Sequence, residues 1–282
     1  MRLVRTIPEV RSAIADARRA GKIIGFVPTM GFLHEGHLSL MHRAREECGY
    51  VVVSLFVNPL QFNEPGDLAR YPRDEARDAA MTEGAGVDLL FAPEAPALYP
   101  EGFSTSVTVS GVSEPLEGVT RGIGHFQGVA TVVTKLFGIV APDRAYFGQK
   151  DAQQALVIRR LVRDLDLPVD VRVLPTVREP DGLAMSSRNS LLAAGDRARA
   201  VALSRALFAA ERAIQDGERN PERALAPGRA ILDGAGIEPE YFVAVGAETL
   251  QTLARLGGEV LLTIAASVGG IRLIDNVPVS VP

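Results

Sequence analysis

Two histidines, His34 and His37, stand three residues apart in the segment PTMGFLHEGHLSL, after a predicted strand and at the start of a predicted helix. Residues three apart on a helix share a face, so both imidazole rings can approach one ligand. A helix N-terminus offers N–H groups and partial positive charge to an anion, and Gly31 and Gly36 allow a ligand close to the backbone. The segment therefore predicts a site for phosphoryl oxygens, to which a neutral imidazole still donates one N–H.

Two other interpretations of this pair stay open at the level of sequence. Histidines at this spacing can bind zinc, although Glu35 between them does not complete the HExxH pattern and no cysteine is nearby. They can also be surface residues without a role. Half of the four histidines of the chain fall in this one stretch, flanked by glycines, and that concentration favours the phosphate site.

Further polar side chains follow other predicted strands. Asn58 and Gln61 in FVNPLQF carry amides that can bind the hydroxyl and carboxylate of a small hydroxy acid without adding charge. Lys150 in FGQKDAQQ is one of only three lysines among 30 basic residues, and its compact ammonium can neutralise an α- or β-phosphate. Asp151 can cap the helix that follows or hold a ribose or a metal, and Gln154 lies one turn further along that helix.

A serine-rich segment, MSSRN at Met185–Asn189, lies just beyond the predicted boundary between two domains. Its two hydroxyls and its guanidinium can bind phosphate oxygens, and its position suits a lid that closes over a nucleotide. The alternative is a plain interdomain linker that contains a helix cap.

The elements that must position these residues alternate between apolar runs and helical patterns over the first two-thirds of the chain. Predicted strands are Lys22–Thr29, Tyr50–Val57, Val87–Pro93, Arg144–Gln149 and Val169–Pro175, and predicted helices are residues 1–21, Leu38–Cys48, Arg73–Glu83, Gly128–Val140 and Ala152–Leu165. Near-continuous apolar strands separated by helices predict an α/β fold with a doubly wound parallel sheet. Ser104–Ser110 is an additional strand candidate, at an edge or in an excursion from the sheet.

The pattern changes near residue 176, so we expect two domains, residues 1–175 and a smaller α+β domain of residues 176–282. Helices are predicted over Ala194–Asp216 and Pro221–Gly234, and strands over Glu240–Gly246, Glu259–Val268 and Ile271–Val277. The pair Gly269 and Gly270 is typical of a two-residue hairpin, which predicts a three-stranded antiparallel sheet.

Composition excludes several classes of protein. A chain of 282 residues that is 47% hydrophobic and 23% charged can bury a core, which excludes disorder. A net charge of −4 argues against a sequence-independent nucleic-acid binder, and no apolar run reaches the roughly 20 residues of a bilayer span. The single cysteine, Cys48, excludes a disulfide framework, and the N-terminus does not read as a signal peptide, so a cytoplasmic protein is expected.

HEGH resembles the HxGH signature of the nucleotidyltransferase superfamily, whose members catalyse attack of a substrate on the α-phosphate of a nucleoside triphosphate. Six ordered segments further resemble the AMP-forming pantoate–β-alanine ligase family over almost the whole chain: PTMGFLHEGHLSL, FVNPLQF, YPRD, GHFQGVATVV, FGQKDAQQ and TVREPDGLAMSSRN. The resemblance implies a Rossmann-like domain of the HxGH type. It also implies condensation of pantoate with β-alanine through a pantoyl adenylate, with ATP and Mg²⁺, AMP and pyrophosphate as products, and a homodimer. No nucleic acid or membrane partner is expected.

The resemblance also assigns roles to individual residues. It places His34, His37 and Lys150 in catalysis, with His37 as proton donor, and it links Asp78 to Mg²⁺. The implied ATP-contacting positions are Met30, Gly31, Phe32, Leu33, His34, Glu35, Gly36, His37, Gly148, Gln149, Lys150, Asp151, Val177, Met185, Ser186, Ser187 and Arg188. The implied substrate positions are Gln61 and Gln154, and we add Asn58 and Pro28 beside them.

The chain departs from the family pattern at three places. Gln149 replaces a glutamate that is usual beside the lysine, and Phe32 stands where a small or polar residue is more common. The segment from Arg121 to His125 is one residue longer than usual, so no family role is transferred to Arg121. Another nucleotidyltransferase, such as a cytidylyltransferase, and a non-catalytic nucleotide-binding module are the competing functions.

Overall fold

The computed structural model describes residues 1–62 and 65–282. The strands are β1 (Arg2–Val4), β2 (Ile24–Thr29), β3 (Tyr50–Leu55), β4 (Leu89–Phe91), β5 (Arg144–Gly148), β6 (Asp170–Leu174), β7 (Pro239–Gly246), β8 (Gly258–Val268) and β9 (Ile271–Val281). The helices are α1 (Ile7–Arg19), α2 (Glu35–Glu47), α3 (Pro65–Arg70), α4 (Glu75–Gly84), α5 (Ala95–Leu98), α6 (Glu117–Arg121), α7 (Ile123–Val140), α8 (Ala152–Asp164), α9 (Ala194–Gln215) and α10 (Pro221–Gly234). Short 3-10 helices cover Pro59–Gln61, Gln149–Asp151 and Ser187–Leu191.

The chain divides into two compact units. The first contains Met1–Gly148 and Gln153–Pro175, and the second contains Gln149–Ala152 and Thr176–Pro282. The short segment that carries Lys150 therefore groups with the C-terminal part of the chain.

The first unit is built on a six-stranded parallel sheet, which confirms the predicted doubly wound fold. The strand order is β1-β4-β3-β2-β5-β6. The winding direction reverses between β2 and β5, and ligands of open parallel sheets bind outside the carboxyl ends of the strands at such a switch point. β2 ends at Thr29 and β5 ends at Gly148, so the segments that follow both strands leave the sheet at this place.

Alternate residues of the strands face opposite layers of helices. Phe26 of β2 points to one side, where its ring meets Phe137 of α7 edge-on at a centroid distance of 6.3 Å. The next residue, Val27, belongs to the core on the other side together with Met41 of α2. All three of Phe26, Val27 and Met41 are fully buried. Burial on both faces explains why these strands read as continuous apolar runs.

The second unit contains a three-stranded antiparallel sheet of order β7-β8-β9, as predicted. β8 and β9 are joined through Gly269 and Gly270, whose φ angles of 57° and 76° are those a tight hairpin turn requires. A separate hydrophobic core joins this sheet to α9 and α10.

Two predicted elements are wrong. Residues 1–21 were expected to form one helix, but Arg2–Val4 pairs with β4 as an edge strand, and α1 begins only at Ile7. Ser104–Ser110 forms no strand. Its alternating pattern is explained by contacts with α7, because the Val107 N–H donates to Thr131 and the Gln127 amide donates to the hydroxyls of the segment.

Helix α7 is, among the described residues, the one helix that is long and apolar enough to cross a membrane by length and composition alone. Inside the first unit, 61% of its 18 residues are buried, as in the core helix of a globular protein. Its length and composition are therefore weak evidence for a membrane span.

Gly128 lets α7 approach the 3-10 helix Pro59–Gln61 at van der Waals distance. A Cβ atom at this position would lie 2.3 Å from the Leu60 carbonyl oxygen and 2.7 Å from the Gln61 nitrogen. Both neighbours are backbone atoms, which cannot rotate away. The close approach of α7 thus fixes the segment that carries Asn58 and Gln61.

We expect Gly128→Ala to lower the free energy of unfolding by about 1–3 kcal/mol, because the added methyl forces the two backbones apart. Gly138→Ala on the same helix is the matched control. Beyond its own helical turn, the described residues place no atom within 4 Å of the added methyl, so the higher helix propensity of alanine should stabilise the protein by about 0.5–1 kcal/mol. Urea unfolding of both variants measures the difference, and equal midpoints would contradict this account of Gly128.

Candidate active site

His34 is the N-cap of α2, and His37 completes the cap. Nδ1 of His34 accepts a hydrogen bond from the Gly36 N–H at 3.2 Å, and Nδ1 of His37 accepts one from the His34 N–H at 3.3 Å. The two ring centroids are 4.2 Å apart. The predicted shared face is therefore present, although α2 starts at Glu35, three residues before the predicted start at Leu38.

This cap determines where each imidazole carries its proton. Nδ1 accepts a hydrogen bond in both rings, so a neutral ring must hold its proton on Nε2. Both histidines then act as Nε2–H donors beyond the carboxyl end of β2, which suits phosphoryl oxygens. Zinc is not supported, because the described residues contain no group of three or more His, Cys, Asp or Glu side chains that could hold a metal ion.

The turn between β2 and α2 separates residues that can face a ligand from one that cannot. Leu33 is 1% exposed and packs in the core against the α2 side of the sheet. Its N–H donates to Asp78, and its carbonyl accepts from Arg77. The predicted ATP contact at Leu33 is therefore not supported by its geometry. Phe32 is half-buried, and Glu35 is exposed.

Gln61 is held with a defined amide orientation. Its Oε1 accepts from Asn58 Nδ2 at 3.1 Å, and its Nε2 donates to Met30 Sδ at 2.8 Å. Met30 follows β2 directly, so this contact joins the segments after β2 and β3. Pro28 is half-buried in β2, in register with Ser54 of β3.

Asn58 does not offer a spare polar atom, contrary to the expectation that it binds substrate. It is 1% exposed, and its Nδ2 donates to Gln61 Oε1 and to the Gly128 carbonyl oxygen. Its Oδ1 accepts from the Leu60 N–H and from the Tyr99 hydroxyl at 2.8 Å. Burial raises the pKa of Tyr99, so this hydroxyl stays protonated and donates. Asn58 therefore orients Gln61.

Two residues near this segment escaped the sequence analysis. Tyr99 gave no signal, because it directly follows the short helix α5 and not a strand. His125 lies within the family segment GHFQGVATVV, and its Nδ1 is 2.8 Å from the Gln61 carbonyl oxygen. Arg121, to which we assigned no role, forms an ion pair with the buried Glu117 at 2.8 Å.

The two adjacent glutamines of α8 differ in environment. Gln154 is half-buried. Gln153 is 6% exposed, accepts from the Glu117 N–H, and donates to the carbonyl oxygens of Val112 and Pro115. Gln153 thus stabilises the loop before α6, and Gln154 is the one left as a candidate for binding substrate.

Asp78 does not fit a magnesium site. Its carboxylate is 1% exposed, and its two oxygens accept from the N–H groups of Phe32 and Leu33 at 2.7 and 2.8 Å. Magnesium retains several water molecules and needs room for them. A buried carboxylate that is already bound to two backbone amides lacks that room.

Lys150 lies in the 3-10 helix Gln149–Asp151 of the second unit, and its ammonium is 3.5 Å from the Asp151 carboxylate. Asn276 of β9 holds this segment. Its Nδ2 donates to the carbonyl oxygens of Gln149 and Lys150, each at 2.9 Å, and its Oδ1 accepts from Gln149 Nε2 at 3.0 Å. Gln149, which stands where a glutamate is usual in the family, thus donates from its side-chain amide to Asn276.

Residues 176–189 form a tightly bonded turn. The Met185 N–H donates to the Val177 carbonyl oxygen at 3.0 Å, and the Asn189 amide donates to Glu179. Ser186 accepts from the Arg188 N–H and caps the 3-10 helix Ser187–Leu191. The helix cap that was the alternative for this segment is present, and its contact with phosphate stays a prediction.

Cys48 is not a nucleophile in this structure. It is 5% exposed, and its Sγ is 3.2 Å from the Tyr146 hydroxyl. Burial raises the pKa of the Cys48 thiol, which keeps it protonated at neutral pH. Cys48 therefore supplies no nucleophile to the chemistry of the site.

Comparison with known proteins identifies the family. A family model described as "Pantoate-beta-alanine ligase" matches residues 2–278. A pantothenate synthetase of Cereibacter sphaeroides is 55% identical over 278 residues, which cover 98% of this chain and 99% of the relative. One of Moorella thermoacetica is 51% identical over 285 residues, which cover 100% and 99%.

Solved structures agree with these sequence relatives. The crystal structure of pantothenate synthetase from Thermus thermophilus matches with a TM-score of 0.92 and 48% identity, covering 98% of this chain and 99% of that one. A pantoate-beta-alanine ligase from Francisella tularensis, crystallised with beta-gamma ATP and beta-alanine, matches with a TM-score of 0.82 and 35% identity, covering 98% and 97%. The chain therefore belongs to the pantoate–β-alanine ligase family, whose members are pantothenate synthetases.

Proposed function

We propose that this protein joins pantoate to β-alanine through a pantoyl adenylate, with ATP as co-substrate. The observation that carries the proposal is the histidine cap of α2, which makes Nε2–H donors of both rings beyond the end of β2. The relative from Francisella tularensis, crystallised with an ATP compound and β-alanine, supports the choice of substrates.

In the first step, a carboxylate oxygen of pantoate forms a bond to the α-phosphorus, and the bond to the bridging oxygen of pyrophosphate breaks. Negative charge accumulates on the equatorial phosphate oxygens, where Nε2–H groups of His34 and His37 act as preorganised donors. The Gln61 amide, whose orientation is fixed by Asn58, binds and aligns the pantoate together with Gln154.

In the second step, the β-alanine nitrogen attacks the acyl carbon, the carbon–oxygen bond to AMP breaks, and the amine loses a proton. Neither step needs a covalent enzyme intermediate, in agreement with the buried, protonated Cys48. Mg²⁺ is expected to accompany ATP, and no step is assigned to it.

We further propose that Lys150 and the segment Met185–Arg188 bind the same triphosphate as the histidines, with residues 176–282 acting as a lid domain. The support is chemical, since an ammonium, two hydroxyls and a guanidinium are typical phosphate ligands. Dimerisation and a cytoplasmic location stay predictions from the family resemblance and the sequence.

The proposed reaction predicts the products of an omission experiment. With ATP, Mg²⁺, pantoate and β-alanine, we expect AMP, pyrophosphate and pantothenate in equal amounts. Without β-alanine, we expect no more than about one pyrophosphate per site if the adenylate is retained, and without pantoate no AMP at all. Nucleotide analysis by chromatography checks these outcomes. ADP and phosphate as products would contradict adenylation, and no turnover would favour a binding module.

His37→Ala should lower kcat by about 10²–10³-fold, because one donor to the developing charge is lost. His42→Ala is the matched control, since His42 lies exposed on the same helix α2 and should leave turnover unchanged. Thermal unfolding of both variants verifies that they fold. Turnover like that of the wild type in His37→Ala would remove this ring from the mechanism.

Lys150→Ala should also lower kcat by at least about 10²-fold, because phosphate charge is no longer neutralised by a positioned cation. Lys22→Ala removes the same charge from an exposed position and provides the control. If both lysine variants lose activity equally, the effect is one of net charge, and the specific role of Lys150 is refuted. Steady-state kinetics at saturating ATP separates the two cases.

A further inference from the structure

The turn between β2 and α2 requires a backbone conformation that its sequence disfavours. Gly31 has a φ of 90° and Phe32 a φ of 52°, so two consecutive residues lie in the left-handed region. Glycine adopts such angles without strain, but phenylalanine does so against a steric cost of its Cβ. Contacts outside the turn must therefore hold Phe32 in place.

Two adjacent residues of α4 supply contacts that hold this turn. Asp78 accepts the Phe32 N–H on Oδ2 at 2.7 Å and the Leu33 N–H on Oδ1 at 2.8 Å. Arg77 donates from Nη2 to the Leu33 carbonyl oxygen at 2.9 Å, and its guanidinium stacks over the Phe32 ring at 5.3 Å from the centroid. One carboxylate and one guanidinium thus bind consecutive backbone groups of the turn.

The placement of the histidines follows directly from this turn. His34 is the residue after Leu33, and its N–H is the donor that His37 accepts. A rotation of the Leu33 peptide would displace His34 and with it the cap that orients both rings. Hydrogen bonds to an ionised carboxylate are stronger than those to a neutral acceptor, so Asp78 is suited to resist that rotation.

We propose that Asp78 is a positioning residue that holds the strained turn at Phe32 and so aligns the imidazoles of His34 and His37, instead of binding magnesium. This inference rests on the proposed adenylation only for its effect on turnover. The effect on the histidine rings is independent of the reaction.

The test replaces Asp78 with asparagine, which has the same shape but turns one acceptor oxygen into an NH₂ group facing a backbone N–H. We expect kcat for pyrophosphate release to fall about 10–100-fold, because a small misplacement of reacting groups is costly. The Mg²⁺ concentration for half-maximal rate should stay unchanged. A raised requirement for Mg²⁺, with turnover restored at high Mg²⁺, would overturn the proposal in favour of a metal ligand.

Asp74→Asn is the matched control, because Asp74 is the N-cap of the same helix and asparagine caps equally well. The control loses the same charge but no bond to the turn, so its turnover should match the wild type. If neither the wild type nor this control releases pyrophosphate with pantoate and ATP, the proposed function itself is wrong.

A second readout does not depend on activity. In imidazole ¹H–¹⁵N spectra of the metal-free protein, the signals of His34 and His37 should shift in Asp78→Asn and stay in place in Asp74→Asn. His42 and His125 serve as internal references. Unchanged His34 and His37 signals in a folded Asp78→Asn variant would refute the positioning role.

A third variant tests the strain at Phe32. Phe32→Gly in the Asp78→Asn background removes the steric cost of the positive φ angle. We therefore expect kcat of the double variant to be at least about threefold higher than that of Asp78→Asn alone, and the histidine signals to move part of the way back to their wild-type positions. No recovery, or a further loss equal to that of Phe32→Gly alone, would show that Asp78 does not act through this turn.

Discussion

Two backbone N–H groups at the start of α2 donate to imidazole nitrogens, and the site depends on that pairing. Serine or aspartate is the usual cap of a helix, and either would satisfy the same N–H groups. Neither would then present an N–H donor of its own to an anion. A histidine can accept on Nδ1 and donate on Nε2, so His34 and His37 cap the helix start and each ring keeps an N–H that can face an anion.

A chain of hydrogen-bond donors and acceptors likewise determines the orientation of the Gln61 side-chain amide. A phenol donates to Asn58, Asn58 donates to Gln61, and the Gln61 NH₂ group is thereby directed to the side of Met30. An amide that could rotate by half a turn would present oxygen or nitrogen to a substrate with similar ease. The half-buried Tyr99 hydroxyl removes that ambiguity, because its raised pKa keeps it a donor. The orientation of the Gln61 amide thus depends on Tyr99, which acts through Asn58.

The sequence predicted what depends on local pattern and missed what depends on distant partners. Continuous apolar runs located β2 through β6, and paired glycines located the hairpin between β8 and β9, since burial and turn chemistry are local. The three-residue β1 was predicted as helix because an edge strand that short carries no periodicity. Ser104–Ser110 alternates like a strand, but its partners are side chains of α7.

Site residues follow the same rule. The histidines, Gln61 and Lys150 are candidates because of their types and their places after strands. The supporting role of Asn58 could not be predicted from sequence, because its partners Tyr99 and Gly128 lie 41 and 70 residues away. Asp78 was matched to a metal for the same reason. A carboxylate in a sequence does not reveal that backbone amides 45 and 46 residues earlier already occupy it.

The hydrogen bonds from Asn276 to the backbone around Lys150 affect the order in which parts of the protein can fold during synthesis. Lys150 sits near the middle of the chain, but Asn276, whose side chain holds the carbonyl oxygens of Gln149 and Lys150, belongs to β9 and comes 126 residues after Lys150. On the ribosome, the parallel sheet can be completed long before that strand emerges. A nascent chain that lacks β9 would therefore carry a completed parallel sheet while the backbone around Lys150 is not yet anchored.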